Sequence, residues 1–350
     1  MGRRQDREPP QTISGQAYIP TGSTLLNLAL SDKWDGGWPA GKIANLIGDS
    51  SSGKTFLALT AFAEMARDKQ FENHLLIFDD VEAASEFDMK SLFGARTAKR
   101  IQAPPHAKEL AGSDTIQDFE VNIHLALDNG SPFLYILDSF DALTSEEEQD
   151  KTDKRVQAAI KGKAMETGSY GMEKAKKSGE ILRKVKSRLS NNGSTLVIIS
   201  QTRDNINPMS FTKKTRSGGK ALKFYSTHEL WTAVGGTIKR KDVPVGVLCK
   251  IKVTKNKLTG KVREVTVPIY YDYGLDDIES CVDWLVNNKH WTIQGRTIDA
   301  SNVFPGVRAT KEKLIALVES EGREKELSRF VGECWNQFED SLKTNRKRRY

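Results

Sequence analysis

Four short apolar runs punctuate the first 200 residues: 43–47 (IANLI), 75–78 (LLIF), 133–137 (FLYIL) and 196–199 (LVII). Each is brief, β-branched or aromatic, and nearly continuous rather than alternating. Such runs fit strands buried on both faces, as in a largely parallel sheet. Helical patterns separate them. One is expected over 55–69. Another is expected over 172–189, where Met172, Ala175, Ile181, Leu182, Val185 and Leu189 gather near one face and Lys/Arg occupy the other. Strands alternating with helices predict βαβ units and an α/β core wound about a mostly parallel central sheet. After residue 225 the pattern becomes alternating, and segments 246–254 and 261–269 predict antiparallel strands extending that sheet. From about residue 276 the chain reads as helical, with 278–286 and 311–342 as the candidate segments. Residues 144–171 are polar, charged and Gly-containing, and predict a long mobile loop. No internal repeat is visible.

Composition narrows the class. A chain of 350 residues suggests roughly two domains. Apolar residues make up 38% and charged residues 28%, an ordinary globular balance. No run approaches the roughly 20 apolar residues that span a bilayer. The first ten residues are polar and lack the apolar stretch of a secretory leader. Cys249, Cys281 and Cys334 are odd in number and far apart, which fits neither a disulfide framework nor a zinc site. These features point away from membrane, disulfide-rich secreted, fibrous and fully disordered classes. They leave a cytoplasmic protein with reduced thiols as the expectation.

The net charge of +7 is unevenly spread. Residues 151–190 carry 12 Lys/Arg against 4 Asp/Glu, 202–223 carry 6 against 1, 239–263 carry 9 against 1, and 343–350 carry 5 against 0. Segregation on this scale is the footprint of a polyanion binder, nucleic acid above all.

One motif sits between these features. Gly48-Asp49-Ser50-Ser51-Ser52-Gly53-Lys54-Thr55 matches GxxxxGK[ST], follows a predicted strand and opens a predicted helix. Small residues let backbone N–H groups curl round a phosphate, and the helix points its positive end at the anion. Lys54 would reach the β- and γ-phosphates of a nucleotide, and Thr55 would ligate Mg²⁺. The run 134–138 (LYILD) has the shape of a Walker B strand, placing Asp138 to hold the same metal. Two further strand ends face the same crevice. Residues 75–78 run into Asp79, Asp80 and Glu82; Glu82 can orient and polarise an attacking water, with Asp79 and Asp80 as rivals for that role. Residues 196–199 run into Ser200 and Gln201, and Gln201 can sense the γ-phosphate.

Taken together, these residues resemble the RecA recombinases. Residues 18–55 are similar to the opening of the RecA ATPase core, 78–82 to the segment bearing its catalytic glutamate, and 134–144 (LYILDSFDALT) to its Walker B strand. Residues 201–225 (QTRDNINPMSFTKKTRSGGKALKFY) resemble the switch glutamine, the second DNA-binding loop and the segment after it. Residues 250–257 (KIKVTKNK) resemble a strand bearing two lysines that reach a neighbouring subunit's ATP. The resemblance runs over about 18–275, and phage recombinases of the UvsX type are the nearest kind.

The resemblance implies a RecA-like P-loop core over 18–276, preceded by an N-terminal segment 1–17. A small helical C-terminal domain over 277–342 and a basic tail at 343–350 would follow. It implies a single-stranded-DNA-dependent ATPase with ATP and Mg²⁺ as cofactors. Such a protein forms helical homo-oligomeric filaments on single-stranded DNA and exchanges strands with a homologous duplex. A mediator or single-strand-binding protein is a further expected partner, and the bacterial cytoplasm, or that of a phage's host, the expected place. Carried over residue by residue, Lys54 and Thr55 serve phosphate and metal, Asp138 the metal, Glu82 is the water-activating base, Gln201 the γ-phosphate sensor, and Lys255 and Lys257 act in trans. One DNA loop would lie about Gly168 and Met172 with Lys174 adjacent. The other would span Arg203 to Lys220, with Lys213, Lys214, Arg216 and Lys220 on phosphates, Gly218 and Gly219 allowing close approach, and Phe211 stacking on bases. Two other readings share the fold: an accessory paralogue that binds DNA and ATP without exchanging strands, and a ring-forming helicase or motor.

Overall fold

The computed structural model describes residues 17–83, 87–106, 112–161, 172–204, 214–216 and 219–346. The chain opens with β1 (Tyr18–Ile19), α1 (Thr24–Ser31) and β2 (Trp38–Pro39). The four apolar runs are strands: β3 (Ile43–Gly48), β4 (Leu75–Asp80), β6 (Phe133–Asp138) and β7 (Thr195–Asp204), with the short β5 (Ile101–Gln102) between the second and third. Helix α2 (Lys54–Arg67) follows β3. Helices α3 (Met89–Phe93) and α4 (Ala95–Arg100) follow β4, and α5 (Ile116–Asp128) precedes β6. Helices α6 (Glu146–Ile160) and α7 (Met172–Asn192) link β6 to β7. After β8 (Lys214–Arg216) and α8 (Gly219–Tyr225) come the long antiparallel strands β9 (His228–Arg240), β10 (Val243–Asn256) and β11 (Arg263–Tyr270), then the short β12 (Gly274–Leu275). The rest is α9 (Asp277–Asn287), three short strands β13 (Thr292–Gln294), β14 (Thr297–Asp299) and β15 (Arg308–Ala309), and helices α10 (Lys311–Ser320) and α11 (Glu324–Ser341).

Among the described residues the main sheet has the order β12-β11-β10-β9-β3-β7-β6-β4-β5, with β8 beside β7. Strands β9, β3, β7, β6, β4 and β5 run parallel, and β10 to β12 extend that block antiparallel. The continuous apolar runs are explained by burial on both faces. Along β6, Leu134 and Ile136 join the apolar cluster under α1 and α2, while Phe133, Tyr135 and Leu137 join the cluster under α5 and α7. Strand β7 divides likewise, Val197 and Ile199 to one side, Leu196 and Ile198 to the other. Ile278, Cys281, Leu314, Leu327 and Val331 of the C-terminal helices belong to the first of these clusters.

Several expectations are corrected. Residues 144–171 were expected as a mobile loop, but 146–160 form α6. A reciprocal cap starts it: the Ser145 hydroxyl accepts from the Glu148 N–H and the Glu148 carboxylate accepts from the Ser145 N–H. Glu146, Glu147 and Glu148 sit at its positive end. The helix buries no residue, so it has no apolar stripe to betray it in the pattern. Strand β9 was missed; only its first five residues pair with β3 and are mostly buried, and the rest is largely exposed. The loop expected over 203–220 begins and ends in ordered structure, because β7 runs to Asp204 and β8 returns antiparallel to it. The C-terminal region holds a three-stranded sheet as well as helices, and the helix expected over 311–342 is two, parted at Gly322, whose φ of 62° is left-handed. All three cysteines are free and buried. Among the described residues no helix is long and apolar enough to cross a membrane.

Candidate functional site

Parallel strands end together, and their carboxyl ends line one crevice. Gly48 of β3 is level with Gln201 of β7, and Asp80 of β4 with Asp138 of β6. The 48–55 loop therefore lies beside Asp138, Gln201 and the chain just past Asp80.

Backbone geometry shapes the loop. Gly48 has no room for a side chain: a Cβ there would lie 2.2 Å from Thr232 Oγ1 and 2.6 Å from both Ser52 Oγ and the Thr232 carbonyl. Gly53, the residue before α2, has φ 89°, a left-handed conformation suited to glycine. The turn is tied underneath. Ser52 Oγ is 2.7 Å from Thr232 Oγ1 and donates to Asp49 O at 2.8 Å, while Cys249 Sγ donates to Ser52 O at 3.0 Å. Lys54 opens the 14-residue helix α2 and is buried, its Nζ donating to Asp49 O at 2.7 Å. Burial pushes the Lys54 ammonium down, opposed by the charges of Asp138, Glu82, Asp49 and Asp141. A buried cation at a helix N-terminus, beside a glycine position with no room for a side chain, is a fitting cradle for a phosphate chain.

Asp138 accepts from Thr55 Oγ1 at 2.5 Å. Burial pushes its carboxyl up to about 6, reinforced by Glu82 and Asp80 and opposed by the Thr55 hydroxyl and Lys54. Two hard oxygen donors at the phosphate loop, one a carboxyl disfavoured in its charged form, suit a dication. Among the described residues no three His, Cys, Asp or Glu side chains gather as ligands. Mg²⁺ is commonly held by one or two protein oxygens, as Thr55 and Asp138 offer, with phosphate and water completing its shell.

Glu82 lies just beyond β4 and is exposed. Its Oε1 accepts from Ser139 Oγ at 2.5 Å and from Gln201 Nε2 at 2.8 Å. The Gln201 N–H donates to Asp141 Oδ2 at 2.6 Å. Asp79, weighed as a rival to Glu82, turns the other way. It is buried and accepts from the Ser113 N–H (2.6 Å), Ser113 Oγ (2.8 Å) and Tyr135 OH (2.5 Å). Asp80 is buried at the strand end and adds its charge to the field that raises Asp138.

The two lysines Lys255 and Lys257 stand elsewhere. Lys255 pairs with Glu229 and Asn256 with His228, and His228 pairs with Ala44, whereas the loop end Gly48 pairs with Thr232. Four residues of β3 separate these levels, about 13 Å along a strand. Both lysines donate to carbonyls at the end of α8: Lys255 to Lys223 and Phe224 (3.4 Å to the latter), Lys257 to Phe224 at 2.8 Å. They thus sit at the opposite end of the sheet from this chain's own phosphate loop.

The DNA-loop residues divide. Lys174 Nζ donates to Asp141 O (3.1 Å) and Leu143 O (2.5 Å) and lies over the Phe140 ring, so it is tied to the segment after Asp138. Met172 begins α7, Arg203 lies on β7, Arg216 on β8, and Gly219 and Lys220 open α8. Lys214 of β8 pairs with Asp49 of the phosphate loop. Gly168, Phe211, Lys213 and Gly218 lie outside the described residues.

Sequence reading missed Ser139, Asp141, Thr202, Thr232 and Cys249. Ser139 and Asp141 lie within three residues of Asp138 and were within reach of the motif. Thr232 and Cys249 come from strands some 180 to 200 residues beyond the loop they support, and no local pattern marks them.

A phosphate loop at the ends of parallel strands, flanked by a strand-end aspartate, a glutamate and a glutamine, defines a P-loop nucleotide hydrolase. Comparison with known proteins narrows the class. The family described as the RecA N-terminal domain matches residues 11–276. Protein RecA of Geobacter metallireducens is 30% identical over 271 residues, covering 77% of this chain and 72% of that protein. Protein RecA of Rhodococcus jostii is 32% identical over 267 residues (76% and 69%), and that of Nocardia farcinica 32% over 280 residues (80% and 72%). The chain belongs to the RecA family and is an ATP hydrolase, as RecA proteins are DNA-dependent ATPases.

Proposed function

We propose that this protein assembles with ATP into filaments on single-stranded DNA and promotes strand pairing and exchange, in the manner of the phage UvsX-type recombinases. The observation that carries the reading is the Gln201–Glu82 hydrogen bond of 2.8 Å. Glu82 faces the nucleotide crevice, and Gln201 lies on β7, the strand that pairs with β8 in the basic hairpin. One contact thus joins the hydrolytic acid to the DNA element.

In this reading Lys54 leaves the Asp49 carbonyl for the β- and γ-phosphates of ATP. Thr55 and Asp138 hold Mg²⁺, which neutralises phosphate charge when bound. Glu82 takes a proton from the attacking water at Oε2, its other oxygen fixed by Ser139 and Gln201. Lys255 and Lys257, remote from the loop of their own chain, serve the site of the next subunit, where cationic charge stabilises the transferring phosphoryl group. Lys213, Lys214, Arg216 and Lys220 meet DNA phosphates.

The test is ATP hydrolysis by the purified protein alone, with single-stranded DNA and with duplex DNA, alongside Lys54→Ala. Strong stimulation by single strands, lost in the variant, is expected. Turnover indifferent to DNA would refute the coupling and favour an accessory paralogue; unchanged turnover in Lys54→Ala would refute the phosphate-loop assignment.

A further inference from the structure

Phosphate-loop chemistry asks for small residues, a lysine and a hydroxyl; it asks nothing of Asp49. Yet Asp49 is the most engaged polar residue of the loop. Its backbone carbonyl accepts from Lys54 Nζ at 2.7 Å. One carboxylate oxygen accepts from Thr202 Oγ1 and the other from Lys214 Nζ. Thr202 belongs to β7 and Lys214 to β8, the two strands of the hairpin, where Thr202 pairs with Arg216 and Asp204 with Lys214. Asp49 therefore grips both strands at once. Its backbone holds the ammonium intended for nucleotide phosphate, and its side chain holds an ammonium proposed for DNA phosphate. The bonds from Lys214 and Thr202 hold the Asp49 carboxyl below the usual carboxylate range, so it is ionised at neutral pH.

We propose that Asp49 is a positioning residue whose carboxylate stands in for a nucleic-acid phosphate on Lys214, latching the β7–β8 hairpin to the phosphate loop until DNA displaces it. The proposal rests on the reading of this hairpin as a DNA-binding element. A carboxylate and a phosphodiester are both oxyanions, and bringing the second to an ammonium already held by the first costs their mutual repulsion, so the two compete for Lys214. Both side chains of the pair are about half exposed, at 48% each, so the latch is weak enough for DNA to open.

The test is binding of a fluorescein-labelled single-stranded oligonucleotide, without nucleotide, by the wild type, Asp49→Asn, Lys214→Gln and the double variant. Freed of its competitor, Lys214 should bind DNA about two- to five-fold more tightly in Asp49→Asn, the range an exposed ion pair supplies. In the Lys214→Gln background the Asp49 substitution should then change nothing. Equal tightening in both backgrounds would mean simple relief of charge repulsion and would overturn the latch. Hydrogen exchange of the hairpin amides at 202–204 and 214–216, without DNA or nucleotide, supplies an arm independent of DNA binding. Exchange about two- to five-fold faster in Asp49→Asn supports the latch, and unchanged exchange overturns it. If none of the four proteins bound the oligonucleotide, the DNA reading and the competition would both fall, and exchange alone would decide whether Asp49 pins the hairpin.

Discussion

Glu82 and Asp79 stand three residues apart at one strand end in opposite surroundings, and in the proposed reading only Glu82 is the base, which a pair of isosteric variants can test. Glu82→Gln keeps an oxygen to accept from Ser139 Oγ and Gln201 Nε2 but loses the basic carboxylate. The side chain is exposed, so stability should stay within about 0.5 kcal/mol of wild type. Turnover should fall by about 10²- to 10⁴-fold, the usual contribution of a general base. Asp79→Asn places an amide where three donors converge. If the amide nitrogen replaces Oδ1 it meets the Ser113 N–H at 2.6 Å, donor against donor. If it replaces Oδ2, only rotation of the Ser113 and Tyr135 hydroxyls relieves it. Bonds to a charged acceptor contribute about 1.5–3 kcal/mol each. Burial, which pushes the Asp79 carboxyl up and is the largest influence on it, offsets part of this, because a neutral side chain is cheaper to bury. A net loss of about 2–3 kcal/mol remains, or about 4–6 °C in Tm at the low end of the range for larger chains. Steady-state ATP turnover and thermal unfolding of both variants complete the experiment. An Asp79→Asn protein with wild-type Tm and no turnover, beside an active Glu82→Gln protein, would refute this reasoning and move the base to Asp79.

Two further predictions follow from the packing. Gly48→Ala drives a methyl to 2.2 Å from Thr232 Oγ1 and 2.6 Å from the Thr232 carbonyl, so nucleotide binding measured by calorimetry should be lost, at about 1–3 kcal/mol in stability. Adding Thr232→Ala should not restore binding, because the carbonyl remains; full restoration would contradict the geometry. Asp277 is partly buried and accepts from the Thr24 N–H at 2.7 Å and Thr24 Oγ1 at 2.6 Å, and desolvation, abetted by Glu64 and Asp276, raises its carboxyl from 3.8 to about 6. The folded protein thus holds this proton more tightly than the unfolded chain, so the contribution is complete below pH 3.8 and is lost as pH rises through about 6. The unfolding free energy of wild type minus that of Asp277→Asn should fall by up to about 3 kcal/mol across that window and be flat above it; a pH-independent difference would refute the assignment.

The sequence by itself determined the parallel core and the phosphate loop, because both are local. A strand buried on both faces must be apolar at every position, and 43–47, 75–78, 133–137 and 196–199 are legible for that reason. A loop that wraps phosphate needs its glycines, lysine and hydroxyl at fixed spacing, whatever the remainder does. Exposed regular structure was not legible. Helix α6 buries nothing and the far half of β9 little, so neither shows the burial contrast that periodicity reads. Nor was the division of labour among neighbouring acids. On spacing, Asp79 and Asp80 remain rivals to Glu82 as the base. Only the fold brings Ser113 and Tyr135 to Asp79, Ser139 and Gln201 to Glu82. The support of Ser52 by Thr232 and Cys249, and the grip of Asp49 on Thr202 and Lys214, join segments more than 150 residues apart. Such contacts exist because β3 lies between β7 and β9 in the sheet, an adjacency set by packing that no window of sequence contains.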